Sequence, residues 1–333
     1  MQKLGLHIVL LLFLVCACKK DDQINNFASK VSFDISYQLL EGRHIDCIAT
    51  DNKGNVFIAS NTEIYYAYKG DLKKYSIGFP VRDMAIAPDG SLWIGTNGGG
   101  LGHFDGKDFT WYTIANAGLP RDLISKVRVA PDGKVWFSCS AFRLGGLGVF
   151  DGKHFEILTP ENSPLNQNVI DDIEIGPDGI VYIATSGTVG QSNIYSIKDK
   201  TWDCLGNEKG TFYWVFSFAA SQSGLLYVVE DFSLSSSSFN TNKLYQLIDN
   251  KWQKIEIDFE LGFFTRMNID NRDYLWVTGR GENLPALHVY NGKSWVSSPI
   301  DLFSDEYVTA IATDNENNVW IGTYENGVYI LKQ

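Results

Sequence analysis

The chain contains few of the residues that build metal centres and disulfide frameworks. Its 333 residues include five cysteines and five histidines, and no His-x-x-x-His pair occurs among them. Three cysteines lie beyond the N-terminal region, Cys47, Cys139 and Cys204, and their spacing matches no zinc site. We interpret them as small buried apolar residues. The sequence therefore predicts neither a metal nor a cofactor.

Positive charge is also scarce. Lysine and arginine together number 28 against 39 acidic residues, which gives a formal net charge of −11, and no basic run interrupts the sequence. An acidic surface repels phosphate backbones and anionic lipid headgroups. The composition therefore argues against a nucleic-acid partner and against electrostatic docking on a membrane.

An apolar run long enough to cross a membrane is missing as well. Residues 8–15 are apolar but too few for a membrane-spanning helix, and Lys3 precedes them. Val15-Cys16-Ala17-Cys18 follows. This arrangement resembles a bacterial lipoprotein signal, in which a small residue precedes the cysteine that is acylated, here Cys18. The alternative is an ordinary secretory signal with an incidental cysteine.

The resemblance to a lipoprotein implies a division of the chain and a location. Residues 1–17 would be the signal peptide, residues 18–30 a polar flexible tether, and residues 31–333 the folded domain. Lys19-Lys20-Asp21-Asp22 resembles the signal that exports some Gram-negative lipoproteins to the outer leaflet. We therefore expect an outer-membrane protein that is held by its lipid alone and faces the cell exterior.

A short motif recurs seven times in the remaining sequence. In each copy an apolar run ends in a turn rich in Asp, Asn and Gly, and an aromatic residue follows, at Phe57, Trp93, Trp136, Tyr182, Tyr227, Trp276 and Trp320. A repeat of about 40–45 residues with four short strands is typical of a β-propeller blade. The sequence therefore predicts an all-β, seven-bladed β-propeller of four-stranded antiparallel blades, with almost no helix.

The last repeat stops after its third strand. Residues 31–37 alternate apolar and polar side chains, as a half-exposed strand does. We predict that this N-terminal segment pairs with residues 329–332, completes the seventh blade and closes the ring, which removes an exposed sheet edge. The alternative is a leader strand lying loosely on the surface.

Three repeats resemble a known family. Trp93-Ile94-Gly95-Thr96 with the glycines that follow it looks like the two-component regulator propeller repeat, and residues 136–152 and 320–328 are further matches. In that family such repeats form extracytoplasmic sensors of membrane histidine kinases, often for glycans. Those sensors carry a second propeller, a β-sandwich, a membrane span and a kinase, none of which we recognise in this sequence. The resemblance implies a propeller and a ligand face, and we do not expect the signalling function.

The longer loops of each blade are the predicted binding face. The a–b and c–d turns are short and uniform, whereas the b–c and d–a loops, which share the opposite face, differ in every blade. Variation on a rigid frame is how scaffolds build sites. Candidate contacts in these loops are Phe142, Arg143, Tyr213, Trp214, Phe232, Phe264, Arg280, Glu282, Tyr324 and Glu325. For Trp214 and Phe264 the alternative is packing between blades.

The channel mouth is a second predicted binding region. Polar residues at the start of each first strand would point towards it, and they are Asp46, Arg82, Asp83, Lys126, Asp171, Asp172 and Arg266. We take Arg82 and Asp171 as the candidate contacts. The alternative is a set of ion pairs that ties the blades together.

Catalytic signals are weak. His44 with Asp46 is the one acid–base pair near the predicted channel mouth, and His103, His154 and His288 fall in or beside outer strands. We therefore assign no catalytic residue. The sequence favours a non-catalytic protein that binds a glycan, a peptide or a partner protein. The alternative is a polysaccharide lyase or hydrolase with its site at the channel mouth.

Overall fold

The computed structural model describes residues 26–139, 144–185, 193–206, 215–230, 243–257, 259–260, 263–281, 283–300, 302–303 and 306–333. These residues form seven four-stranded antiparallel sheets. The first strands of successive sheets contact one another around a closed ring. The predicted seven-bladed β-propeller is confirmed. Helix within the described residues is confined to residues 26–28 and one turn at Ile114–Ala117.

The strands in chain order are β1 (Ile35–Leu39), β2 (Cys47–Thr50), β3 (Val56–Ser60), β4 (Glu63–Tyr68), β5 (Asp71–Ser76), β6 (Val81–Ile86), β7 (Leu92–Thr96), β8 (Leu101–Phe104), β9 (Phe109–Tyr112), β10 (Ile124–Val129), β11 (Val135–Cys139), β12 (Gly146–Phe150), β13 (Phe155–Leu158), β14 (Ile170–Ile175), β15 (Val181–Thr185), β16 (Asn193–Lys198), β17 (Thr201–Cys204), β18 (Val215–Ala220), β19 (Leu226–Glu230), β20 (Lys243–Ile248), β21 (Lys251–Ile255), β22 (Phe263–Ile269), β23 (Leu275–Arg280), β24 (Leu287–Tyr290), β25 (Trp295–Ser297), β26 (Val308–Thr313), β27 (Val319–Thr323) and β28 (Val328–Leu331). Blades 1 to 6 each take four consecutive strands, beginning with β2, β6, β10, β14, β18 and β22. Blade 7 consists of β26, β27, β28 and β1.

The N-terminal strand closes the ring, as predicted. Strand β1 runs antiparallel to β28, with Tyr37 opposite Ile330 and Leu39 opposite Val328. It begins at Ile35 rather than at residue 31. Its side chains are mostly exposed, so its main contribution is the backbone ladder that covers the edge of β28.

Ordered packing begins earlier than the predicted tether allows. The side chain of Phe27 is 4% exposed and lies in the apolar cluster between blades 6 and 7. Its ring meets that of Tyr274 edge to face, with centroids 5.1 Å apart. Val31 and Phe33 pack against the same cluster. The assignment of residues 18–30 to a flexible tether is therefore wrong at its C-terminal end.

In blades 6 and 7 a carboxylate ties the turn between the first two strands to the tryptophan of the repeat. In blade 7, Asp314 accepts hydrogen bonds from the backbone N–H of Asn318 and from the indole N–H of Trp320, both at 2.9 Å. In blade 6, Asp270 accepts one from the indole of Trp276 at 3.1 Å. A carboxylate six residues before the tryptophan thus ties the turn to the second strand, because both groups lie at the same end of the hairpin.

The three cysteines of the domain differ in exposure. Cys139 is buried, Cys47 is half-buried in the channel wall, and Cys204 is exposed at the end of β17. The interpretation of all three as buried apolar residues holds for Cys139 and is wrong for Cys204, because the last strand of a blade is its outermost.

Candidate functional site

The first strands of the blades line a polar cavity at the centre of the ring. Its volume is about 370 Å³. Four acidic and four basic side chains face it, and they are Asp46, Arg82, Asp83, Lys126, Arg128, Asp172, Glu174 and Arg266. The cavity is therefore balanced in charge, although the chain as a whole carries −11.

The sequence predicted six of these eight residues. Arg128 and Glu174 were missed, and they lie two positions beyond Lys126 and Asp172 on the same strands. Because side chains alternate along a strand, positions two apart share a face, and this alternation could have identified both. The predicted contact Asp171 is not among the described residues that line the cavity.

Ion pairs connect blades 2, 3 and 4 within the cavity. Arg128 Nη1 lies 2.8 Å from Asp83 Oδ2, and Arg128 Nε lies 3.3 Å from Glu174 Oε2. Lys126 Nζ lies 3.0 Å from Asp172 Oδ1. Ion pairing, the alternative interpretation of these charges, holds for these three blades.

The pKa shifts follow from burial and pairing. Burial disfavours the charge on Arg128, but the carboxylates of Asp83 and Glu174 outweigh it and raise the pKa of the guanidinium. Burial would raise the pKa of Asp172, but Lys126 and Arg128 lower it overall. For Glu174 burial prevails over Arg128, and its pKa is raised.

Two of the cavity carboxylates also bind the backbone of the next blade. Asp83 Oδ2 accepts a hydrogen bond from the N–H of Val127 at 2.9 Å, and Asp172 Oδ2 accepts one from the N–H of Phe218 at 2.8 Å. In blades 3 and 5 the strand pairing is irregular just before these two residues, and a bulge of this kind leaves backbone groups free. These aspartates therefore have a structural role.

Two arginines in the cavity lack such partners. The guanidinium of Arg266 donates to the carbonyl of the adjacent Thr265 at 2.6 Å. Within the described part of the chain, neither Arg82 nor Arg266 forms an ion pair with a carboxylate. Arg82 is exposed. These are the cationic groups of the cavity that remain available to a ligand.

The thiol of Cys47 also faces the cavity. Burial, followed by the nearby Asp83 and Asp46 carboxylates, raises its pKa well above the usual range, against the opposing effect of Arg266 and Arg128. A thiol held protonated is a poor nucleophile, so the cavity offers no activated cysteine at this position.

An aromatic group on the loop face adjoins the cavity, and we call it the tyrosine cluster: His44, Arg280, Tyr307 and Tyr324. The rings of His44 and Tyr324 meet edge to face with centroids 4.8 Å apart. The N–H of Tyr324 donates to the carbonyl of Tyr307 at 2.9 Å. The Arg280 guanidinium lies 5.3 Å from the centre of the Tyr307 ring.

The tyrosine cluster is open to solvent and linked to the cavity. Tyr324 is 56% exposed, and its neighbour Glu325 is also exposed. His44 Nε2 lies 3.3 Å from Oδ1 of Asp46, which lines the cavity. The structure thus brings two predicted contacts, Arg280 and Tyr324, together from blades 6 and 7. Sequence reasoning missed Tyr307, although its place in the loop before β26 was a usable signal.

Six predicted contacts and the predicted anchor lie outside the described residues. They are Phe142, Arg143, Tyr213, Trp214, Phe232, Glu282 and Cys18. Phe264 is buried in the cluster between blades 5 and 6. It therefore packs between blades, which was the alternative interpretation, and is not a contact on the loop face.

The sequence suggested that His288 lies towards the outside of its blade, and this is wrong. Its side chain is fully buried, its Nδ1 is 2.8 Å from Ser297 Oγ, and its ring stacks on Phe259 with centroids 3.9 Å apart. Burial lowers the pKa of His288 to about 4, against the opposing effect of the Pro285 carbonyl. The imidazole is therefore neutral at pH 7 and belongs to the core.

Neither a metal centre nor a membrane-spanning helix is found in the described residues. No group of three or more histidine, cysteine and acidic side chains is placed to hold a metal ion in the described ranges. No helix in the described part of the chain is both long and apolar enough to cross a membrane.

Comparison with known proteins supports the repeat and the fold. Residues 302–325 match the family described as two component regulator propeller, which confirms the resemblance seen in the seventh repeat. No curated protein sequence matches the chain.

Among solved structures, a catalytically inactive virginiamycin B lyase from Staphylococcus aureus with quinupristin has 16% identity and a TM-score of 0.67, over 89% of this chain and 98% of that one. The extracellular domain of a putative one component system from B. thetaiotaomicron has 16% identity and a TM-score of 0.66; the match covers 90% of this chain but only 42% of that one. YCF48 bound to D1 peptide has 12% identity and a TM-score of 0.63, over 89% and 95%. At such identities the similarity shows the fold alone.

Proposed function

We propose that this protein is a lipid-anchored surface protein whose propeller binds a ligand on the loop face, with a carboxylate of the ligand held at the mouth of the central cavity. The observation that carries this proposal is the contrast between two sets of cations. Arg128 and Lys126 are neutralised by carboxylates within 3.3 Å, whereas Arg82 and Arg266 have no such partner among the described residues.

An arginine facing a partly enclosed polar cavity is well suited to a carboxylate. The planar guanidinium donates two parallel hydrogen bonds to such a group, and this geometry gives both energy and specificity. The net charge of −11 opposes an anionic ligand at long range. That repulsion is screened beyond about 8–10 Å at physiological salt, so the local guanidinium groups decide recognition.

The tyrosine cluster would supply the apolar part of the contact. Tyr324 presents an exposed ring, and the aromatic side chains of binding sites give large contact areas at low cost in side-chain entropy. A sugar ring or a peptide side chain could stack there, while Glu325 and Arg280 reach polar groups beside it. The peptide bound to the similarly folded YCF48 and the extracellular setting of the B. thetaiotaomicron domain support a ligand-binding role of this kind. An acidic glycan or the carboxylate of a peptide would satisfy both parts of the site.

The anchor in this proposal is Cys18. Since Phe27 already packs on the domain, the segment from Cys18 to Phe27 spans at most about 30 Å at 3.3–3.6 Å per residue. The propeller would therefore stay close to the membrane that holds the lipid.

The test is a binding assay with the soluble domain, residues 26–333, on an array of acidic glycans, neutral glycans and carboxylate-bearing peptides. We expect binding to an acidic member of the array, and its loss in an Arg82→Ala/Arg266→Ala variant. The matched control is Lys107→Ala/Lys293→Ala, because these lysines flank short turns on the opposite face. Equal binding by both variants would contradict the proposal.

A second candidate is a polysaccharide lyase or hydrolase with its site at the same mouth. It is favoured by the His44–Asp46 contact at 3.3 Å, since a carboxylate can orient a histidine as a general base. Release of unsaturated or reducing ends from an acidic polysaccharide, abolished by His44→Gln, would establish catalysis. Binding of the polysaccharide without release of product would support the first proposal and contradict the second.

A further inference from the structure

A large pocket lies between blades 3 and 4, separate from the central cavity. Its volume is about 810 Å³, within the range of about 300–1,000 Å³ found for small-molecule sites. Trp136, Val149 and Leu158 of blade 3 line it together with Ile197 and Trp202 of blade 4. The a–b turns of both blades, the c–d turn of blade 4 and residues 162–164 complete its walls.

Two other interfaces, between blades 1 and 2 and between blades 2 and 3, fill the equivalent space with rings. Between blades 2 and 3 the five equivalent positions carry aromatic or imidazole rings: Trp93, His103, Tyr112, Phe150 and Phe155. Their centroids lie 4.3–6.0 Å apart in successive pairs. Between blades 1 and 2 the set is Phe57, Tyr66, Tyr75, Phe104 and Phe109.

Three of these five rings are missing between blades 3 and 4. The strand registers place Val149 where blade 2 has His103, Leu158 where it has Tyr112, and Ile197 where blade 3 has Phe150. Trp136 and Trp202 keep rings at the other two positions. The pocket therefore lies where the interfaces of blades 1 to 3 are filled with aromatic rings; between blades 4 and 5, Ser196 and Leu247 likewise stand at two of these positions.

Two of the polar side chains around the pocket, Asn162 and Ser163, are already engaged. Asn162 accepts a hydrogen bond from the N–H of Thr159 and donates one to the carbonyl of Ile157, at 2.7 and 2.9 Å. The hydroxyl of Ser163 donates to the Thr159 carbonyl at 2.6 Å. A sugar needs free donors and acceptors for its hydroxyls, and these two side chains offer few. The lining favours an apolar ligand.

The charges at the rim are partly neutralised in the same way. Lys134 pairs with Asp132, and Lys198 Nζ lies 3.7 Å from Asp178 Oδ2. These pairs belong to the short turns of blades 3 and 4 and flank the opening. Lys134 and Lys198 therefore add little preference for a charged ligand, and Glu156, Asp199 and Lys200 complete the charged part of the lining.

We propose that the pocket between blades 3 and 4 binds a small neutral aromatic molecule of one or two rings, in contact with Trp136 and Trp202. The ligand takes the space that the rings of His103, Tyr112 and Phe150 fill one blade earlier. This site lies outside the central cavity and the tyrosine cluster, and it does not depend on the ligand proposed for them.

The test uses the full-length protein and 2-naphthol as the probe, followed by calorimetry. The decisive variant is Val149→His/Leu158→Tyr/Ile197→Phe, which copies into the pocket the side chains of the filled interface. We expect wild-type protein to bind the probe and the filled variant to bind it at least tenfold more weakly. Leu247→Phe, the same change at the equivalent position of blade 5, is the control and should leave binding unchanged.

Three results would overturn the proposal. They are unchanged affinity in the filled variant, no binding to the wild type at millimolar probe, and binding of the peptide Gly-Trp-Gly in place of the free ring compound. The last would assign the pocket to a partner's aromatic side chain. If the triple variant does not fold, Ile197→Phe alone is expected to weaken binding severalfold, and unchanged affinity there would have the same meaning.

Discussion

Arg128 of blade 3 forms an ion pair with Asp83 of blade 2, with 2.8 Å between Nη1 and Oδ2. The same carboxylate oxygen accepts the backbone N–H of Val127 at 2.9 Å. One aspartate therefore holds both the side chain and the main chain of the next blade. The ion pairs of Lys126 and Arg128 join blades 2 to 4. Arg82 and Arg266 are the cavity cations that have no carboxylate partner among the described residues.

Replacing Arg128 with alanine should destabilise the fold. The substitution leaves the Asp83 and Glu174 carboxylates without their cation in a partly enclosed cavity. Removing one partner of a buried pair costs about 3–5 kcal/mol, and the partial exposure of Arg128 reduces the expected loss to about 2–3 kcal/mol. Urea unfolding measures it. Lys107→Ala, at an exposed pair, should cost less than about 0.5 kcal/mol. Equal losses in the two variants would show that the cavity ion pairs stabilise the fold no more than an exposed pair does.

Two truncated chains measure how much strand β1 contributes to stability. A chain beginning at residue 35 keeps β1, and one beginning at residue 40 lacks it. Since β1 is mostly exposed, its loss removes backbone hydrogen bonds worth about 1 kcal/mol each net and bares the edge of β28. We expect a lower melting temperature and concentration-dependent association. The same melting curve for both chains would show that the ring does not need β1.

Phe27 tests where the folded domain begins. Phe27→Ala should lower the free energy of unfolding by about 3 kcal/mol, because a buried ring is lost from the cluster between blades 6 and 7. Ser29→Ala, two residues away and exposed, serves as the control. A loss below about 0.5 kcal/mol for Phe27→Ala would instead support a flexible tether up to residue 30.

His288 should make stability depend on pH. Its folded pKa of about 4 lies below the unfolded value of about 6.5. The contribution of His288 to the free energy of unfolding is then fully present above pH 6.5 and is lost as the pH falls towards 4. The reason is that the unfolded chain binds a proton at this imidazole in that range and the folded chain does not. The total is on the order of 3 kcal/mol. Unfolding of wild type and His288→Asn between pH 7 and 4 measures it; parallel curves would contradict the assignment.

Cys18→Ala tests the proposed anchor. Without the thiol no thioether-linked lipid can form, so the protein should leave the membrane fraction and take up no labelled palmitate. Cys16→Ala is the matched control and should stay anchored. Continued labelling of Cys18→Ala would place the lipid elsewhere.

The candidate site was only partly predictable. Polar residues at the starts of the first strands identified six of the eight charged residues that line the cavity. No sequence pattern indicated that Arg128 would pair with both Asp83 and Glu174, since three blades meet there, or that Arg280 would lie over Tyr307. Contacts between residues far apart along the chain depend on how blades pack, and no repeat pattern encodes them.

The sequence by itself determined the blade number, the four-stranded hairpin order and the N-terminal closure of the ring. These features rest on local chemistry: turn residues that tolerate positive φ, an aromatic residue that follows each of these turns, and a two-residue alternation. Only the tertiary structure decided the burial of Phe27 and His288, the pocket between blades 3 and 4, and which arginines of the cavity lack a carboxylate partner among the described residues. Each of these depends on whether side chains from two neighbouring blades fill the space or satisfy the charge between them.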